Sequence, residues 1–240
     1  MAWHYTNKII PSSNFWQRSH EAILCLWKPK SKRPPLEIDQ IREPYTESFL
    51  KNAAGKIRKN TKLKLQNDYR KNLAGNLTEE YSFSNAFTSN AEKIVDDELR
   101  YLASSFTRVA GKTIGRHLDV LEKNMVVLKP GWVNFMKSGE WNPQHTHTGS
   151  ISCVIFLKVP PEIEEETKVS ETSSKSNTPS AGRLEFNYGE NIGFTQTGTM
   201  KAPKAKDIYF FPAKLHHLVY PFKSKVERVS VSYNFADKTY

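Results

Sequence analysis

The chain has 240 residues, 38% of them hydrophobic and 25% charged, which fits one compact domain, or one core with a substantial extension, and argues against wholesale disorder. Its net charge of +10 favours polyanionic partners (nucleic acid, anionic lipid, acidic protein), or serves solubility alone, because the basic residues are spread out rather than gathered in a tail. Its two cysteines, Cys25 and Cys153, lie far apart in apolar runs without CxxC spacing, so they read as buried thiols in a reducing compartment and not as a disulfide framework.

From the N-terminus, Met1–Tyr5 has no basic stretch leading into an apolar core, and the apolar run Ala22–Trp27 is too short to span a bilayer. The expectation is a cytoplasmic protein without a membrane segment. Residues 1–60 read as irregular, broken by Pro29, Pro34, Pro35 and Pro44, with a basic cluster at Lys28–Arg33. A weak helix is expected over Thr61–Leu73. A stronger one starts at Ser89, where Ser89 and Glu92 have capping-box spacing. Ile94, Val95, Leu99, Leu102, Phe106 and Val109 continue it at helical spacing, Gly111 is its expected stop, and a short helix over Ile114–Leu121 follows.

After Asn124 the texture becomes that of an all-β protein. The expected strands are Met125–Leu128, Trp132–Met136, Ser150–Val159, Arg183–Tyr188, Asp207–Phe211, Leu218–Phe222 and Arg228–Phe235. Glu162–Ala181 is acidic, then rich in Ser, Thr and Lys, and reads as a long mobile loop. The division is therefore an irregular and helical region over 1–123 and a β core over 124–240 with a mobile insertion at 162–181, together one integrated domain.

Two histidine groups stand out in the β region: His145-Thr146-His147 and His216-His217. Residues two apart on a strand share a face, so His145 and His147 can reach one metal ion. A third ligand from a distant strand would leave coordination positions open for substrate and oxygen. Only one of His216 and His217 can face inward, and imidazole alone does not choose between iron, zinc, copper and nickel. Either group can also be plain polar surface. In the strand Glu227–Phe235, Arg228, Ser230 and Ser232 share one face. If that face looks into a barrel, Arg228 is a buried cation that a carboxylate would match with two parallel hydrogen bonds. If it is exposed, Arg228 pairs with Glu227 or Asp207.

The stretch from Trp132 to Phe235 resembles the 2-oxoglutarate/iron(II) oxygenase superfamily, and within it a family of small oxygenases frequent in bacteriophage, especially marine phage. The resemblance rests on Trp132-Val133-Asn134, Asn142–His147 leading into Ser150–Leu157, Gly182–Phe186, Phe211–Pro221 and Glu227–Asn234. It implies an α+β fold: a double-stranded β-helix of the jelly-roll or cupin type with N-terminal helices packed on it. It also implies a dioxygenase that uses Fe(II), 2-oxoglutarate and O2 to hydroxylate a prime substrate, releasing succinate and CO2. His145 and His217 take the places of the first and distal metal histidines. Arg228 takes the place of the residue that holds the distal carboxylate of 2-oxoglutarate, with Ser230 beside it and Asn134 lining that pocket. One position departs from the superfamily pattern: His147 stands where an Asp or Glu is usual. Three imidazoles leave a bound cation its full charge. That admits a working three-histidine iron site, a carboxylate brought from elsewhere, or a cupin-like or virion-associated metal protein without turnover. Nucleic-acid binding through the basic surface is a third class, with no motif behind it. The prime substrate is unreadable, and the positive charge favours an acidic one.

Overall fold

The computed structural model describes residues 24–26, 43–113, 126–168, 179–189 and 197–237. Its elements in chain order are β1 (Leu24–Leu26), α1 (Glu43–Lys59), α2 (Thr61–Asn67), β2 (Glu80–Ser82), α3 (Ser89–Thr113), β3 (Val126–Leu128), β4 (Trp132–Met136), β5 (Asn142–His145), β6 (Ile151–Lys158), α4 (Pro161–Glu166), β7 (Leu184–Asn187), β8 (Gly198–Lys201), β9 (Ile208–Pro212), β10 (His216–Val219) and β11 (Arg228–Asp237).

Two antiparallel sheets form among these strands. The larger runs β1-β9-β6-β11-β4-β2, with β3 also paired to β11, and the smaller runs β5-β10-β7-β8. Strands distant in sequence thus lie side by side, as a double-stranded β-helix requires. The core of the larger sheet continues into the helices without a break. Leu50 and Ile57 of α1 and Leu99 and Phe106 of α3 share one buried cluster with Val133, Phe210, Val231 and Phe235. A second cluster, including Phe156, Phe186, Phe211 and Phe222, lies between the sheets. The two faces follow from strand alternation: on β11, Val229, Val231 and Tyr233 meet the helices, while Arg228 and Ser230 face the other sheet.

Several expectations need correction. Residues 43–59, read as irregular, form α1. Pro44 falls in its first turn, where the missing N–H costs nothing, and Leu50, Ala53, Ala54 and Ile57 are buried at helical spacing. Helix α3 is capped by Thr88, whose Oγ1 accepts from the Ala91 N–H at 3.4 Å, and not by Ser89. It runs through Gly111 to Thr113. Thr61–Leu73 is not one helix: α2 stops at Asn67, and a single 3-10 turn follows at Arg70–Asn72. The final core-strand segment before β11 is His216–Val219, shifted from Leu218–Phe222.

The insertion read as a mobile loop begins as α4. Pro161 starts this helix, Ile163 is buried under it, and the Glu166 carboxylate accepts from the Lys223 and Ser224 N–H groups at 2.9 Å. Strands β2, β5 and β8 were not expected. The expected helix 114–121, the cluster 28–33 and residues 169–178 of the insertion lie outside the described residues. Cys153 is a free buried thiol whose pKa is pushed up by burial; the side chain of Cys25 also lies outside the description. Among the described residues no helix is long and apolar enough to cross a membrane.

Candidate metal and co-substrate site

The smaller sheet builds the metal end of a cleft between the sheets. His145 closes β5, and His217 pairs directly opposite it on β10. His217 is buried and His216 is exposed, so the strand alternation selects His217 as the inward residue. His147 is past the end of β5 rather than on it. It is brought back by its backbone, whose N–H donates to Ala213 O at 2.8 Å, and its ring packs against Trp132 with centroids 5.6 Å apart.

One ligand atom from each of His145, His147 and His217 lies within 4.8 Å of the others. The tautomers follow from the backbone. His145 Nδ1 lies 2.7 Å from Pro143 O and His217 Nδ1 lies 2.9 Å from Leu215 O, so each Nδ1–H donates to a carbonyl and each Nε2 keeps its lone pair. His147 Nε2 is 3.1 Å from His217 Nε2. Two nitrogens each about 2.1 Å from one metal and at right angles to it would stand about 3.0 Å apart. Burial pushes all three imidazoles down, His147 to about 4 with help from His145, and His217 to about 3 with help from His145, His147 and His216. At neutral pH they are therefore uncharged, the form that binds a metal. The residues fit a divalent transition-metal ion.

The larger sheet supplies the other end. Arg228 is 3% exposed, so its face is the inward one, and neither Glu227 nor Asp207 is its partner. Glu227 instead holds Arg58 of α1 through two hydrogen bonds of 2.7 and 2.6 Å, and Asp207 accepts from the Lys204 N–H and the Tyr209 hydroxyl. The Arg228 guanidinium donates to Gly182 O at 2.6 Å and to the Met136 thioether at 2.7 Å, and its Nε has no partner. Burial lowers its pKa to about 10, which leaves it charged at neutral pH. Among the described residues this buried cation has no anion beside it, an arrangement that is costly unless a carboxylate is bound there. Gly182 permits it: its φ is +62°, and a Cβ there would stand 2.4 Å from Ile163.

Ser230 and Asn134 are opposite one another on β11 and β4 and line the same cleft. All six residues named from the sequence therefore meet there. Sequence reasoning missed Glu80, the next residue along that row: it pairs with Asn134 from β2, is 1% exposed, and also lines the cleft. A three-residue strand gives no periodic signal by which to find it.

Residues 131–234 match the family model described as "Putative 2OG-Fe(II) oxygenase". No curated protein matches the sequence. Among solved structures, AviO1 from Streptomyces viridochromogenes Tue57 superposes with a TM-score of 0.51 at 13% identity, covering 92% of this chain and 91% of that one. The viral collagen prolyl hydroxylase of Paramecium Bursaria Chlorella virus-1 gives 0.44 at 15% identity, over 79% and 88%. An oxidoreductase of the 2OG-Fe(II) oxygenase family from Burkholderia pseudomallei gives 0.38 at 15% identity; 62% of this chain is covered, and it spans only 59% of that protein. The segment carrying the three histidines and Arg228 is thus similar to the 2OG-Fe(II) oxygenase family over residues 131–234.

Proposed function

We propose that the protein is an Fe(II)/2-oxoglutarate-dependent dioxygenase that hydroxylates a prime substrate. His145, His147 and His217 would hold the iron through Nε2. Arg228 would pair with the distal carboxylate of 2-oxoglutarate, with the Ser230 hydroxyl and the Asn134 amide beside it. When bound, iron and 2-oxoglutarate supply the oxidation of a C–H bond by O2, with succinate and CO2 released. The chain's own residues bind and orient. The Pro143 and Leu215 carbonyls fix two imidazoles in the metal-binding tautomer. Trp132 braces the third. The apolar walls, among them Phe156, Phe211 and Leu184, keep water from the reacting centre.

The observation that carries this reading is the convergence of three neutral imidazoles in one cleft with a buried, anion-free Arg228. Its test is anaerobic titration of 2-oxoglutarate into the Fe(II)-loaded protein, followed by the visible metal-to-ligand charge-transfer band. A saturating band supports the dioxygenase. Iron bound without a band supports the second reading, a cupin-like or virion-associated metal protein without turnover, which His147 in place of a carboxylate favours. The finer identity is part of the proposal: a small oxygenase of the bacteriophage type, working in the cytoplasm, with its net charge of +10 drawing an acidic partner from a distance.

A further inference from the structure

Buried polar atoms in folded proteins are almost always hydrogen-bonded, so those that are not call for an explanation. Among the described residues, four without a partner line the cleft: Arg228 Nε, Asn134 Oδ1, Asn142 Oδ1 and Glu80 Oε2. One is a donor and three are acceptors. On the reading above, the carboxylate of 2-oxoglutarate answers Arg228. It answers none of the acceptors, because at neutral pH 2-oxoglutarate has no hydrogen to donate. An asparagine amide can turn over and present its NH2. A carboxylate has no second face to turn and needs a donor, or a proton, brought to it, so Glu80 is the group that 2-oxoglutarate leaves unmet.

Glu80 is also placed away from the co-substrate's seat. The row Glu80, Asn134, Ser230 crosses β2, β4 and β11, which sets Glu80 two strands, roughly 10 Å, from Ser230. It sits on the edge strand, beside the wall formed by Leu73, Gly75 and Leu77. That wall is tight: a Cβ on Gly75 would stand 2.1 Å from Asn142 Oδ1. The nearby cation favours the Glu80 charge only in part: Arg70 makes its hydrogen bonds to both Asp68 oxygens, at 2.9 and 2.6 Å, and Asp68 itself works against that charge. The nearby anion opposes it: burial and the Glu140 carboxylate raise the Glu80 pKa to about 7. Glu140 itself is engaged by the Thr78 and Lys137 N–H groups. Among the described residues the cleft therefore has two unlike ends, an arginine with no carboxylate on it and a carboxylate with no cation hydrogen-bonded to its buried oxygen.

Resting on the dioxygenase reading, we propose that Glu80 is the specificity-determining residue for the prime substrate and that the group it receives is cationic, an ammonium or guanidinium on the molecule to be oxidised. Long-range attraction by the basic surface and recognition inside the cleft are separate: the first acts on the partner as a whole, the second on the one group that enters.

The experiment uses n-butylammonium, 1-butanol and butyrate as probes, with binding read by ligand-observed NMR. The full chain is tested metal-free and again loaded with Zn(II) and 2-oxoglutarate, which avoids turnover. The amine is expected to bind at least tenfold more tightly than the alcohol and butyrate weakest. Glu80→Gln is expected to erase the amine preference, and Glu80→Asp, which keeps the charge, to retain it. Equal binding of the three probes, an amine preference that survives Glu80→Gln, or displacement of the amine by 2-oxoglutarate would each overturn the assignment. Absence of the charge-transfer band in the iron-loaded parent would instead remove the dioxygenase reading, while the amine preference of the metal-free protein still decides the role of Glu80.

Discussion

His147 and His217 face each other through their Nε2 atoms at 3.1 Å, although one sits in a loop and the other in mid-strand. His217 carries its proton on Nδ1, so its Nε2 turns a lone pair towards His147 Nε2, an arrangement that suits a cation held by both. His217→Ala is therefore expected to lower Fe(II) affinity by more than the ~10–100-fold typical of losing an outer-shell partner. Metal content after dialysis, with far-UV circular dichroism to show the fold intact, checks this. Parent-like retention of iron in the variant would show that the metal sits elsewhere.

Arg228 separates metal binding from co-substrate binding. Arg228→Met keeps the bulk beside Phe156 and Met136 but removes the charge. Iron affinity is expected to stay within a few-fold of the parent. The affinity for 2-oxoglutarate should fall by about 2–5 kcal/mol, the usual cost of deleting one partner of a buried charge pair, which is some 30-fold or more. Titration of the charge-transfer band measures it. An unchanged midpoint would mean that the co-substrate's distal carboxylate is held by another group.

Much of the site was legible because metal ligation and anion binding each demand particular side chains at a strand period of two. The period groups Arg228 with Ser230 and allows only one of His216 and His217 to face inward; the choice of His217 and the inward Arg228 come from the family resemblance, and the structure puts His145, His217, Arg228 and Ser230 in one cleft. His147 was found for a partly wrong reason, since it reaches the cleft through the Ala213 carbonyl and not through strand alternation. Helix α1 carried its signal in Leu50, Ala53, Ala54 and Ile57, yet the prolines before it dominate a reading by composition. Glu80 was out of reach. Its meaning comes from pairing with Asn134, and a contact between residues 54 positions apart leaves no local pattern.

The helical half is bound into the β core, and this predicts how the protein unfolds. Phe106 of α3 stacks on Phe210 of β9 with centroids 6.2 Å apart, and Phe210 in turn meets Phe235 of β11. Phe106→Ala is expected to cost about 3–5 kcal/mol through lost burial and the cavity left behind. In a chain of this size that is a fall in melting temperature of roughly 10 °C. Helix-sensitive and strand-sensitive probes should report one shared transition. Two separated transitions, with only the helical one moved, would divide residues 43–113 from the β core as an independent unit.

Glu80 should also leave a signature in the pH dependence of stability. Its folded pKa of about 7 lies above the ordinary carboxylate value of 4.5, so between these pH values the native state holds a proton that the unfolded chain releases. The native state binds more protons there, and this contribution makes stability fall as pH rises through the window. The shift corresponds to a penalty of at most about 3 kcal/mol, complete above pH 7. The depressed histidines act with the opposite sign: the unfolded chain binds their protons, so stability gained from them rises between about pH 3 and 6.5. The parent's own profile is thus a sum of opposing slopes, and the comparison with Glu80→Gln isolates one of them. The two proteins should have similar stability near pH 4, and the variant should gain progressively until it is the more stable by pH 8. Urea unfolding at intervals across this range is the measurement. A difference that stays flat with pH would mean that Glu80 titrates in the folded protein as it does in the unfolded chain.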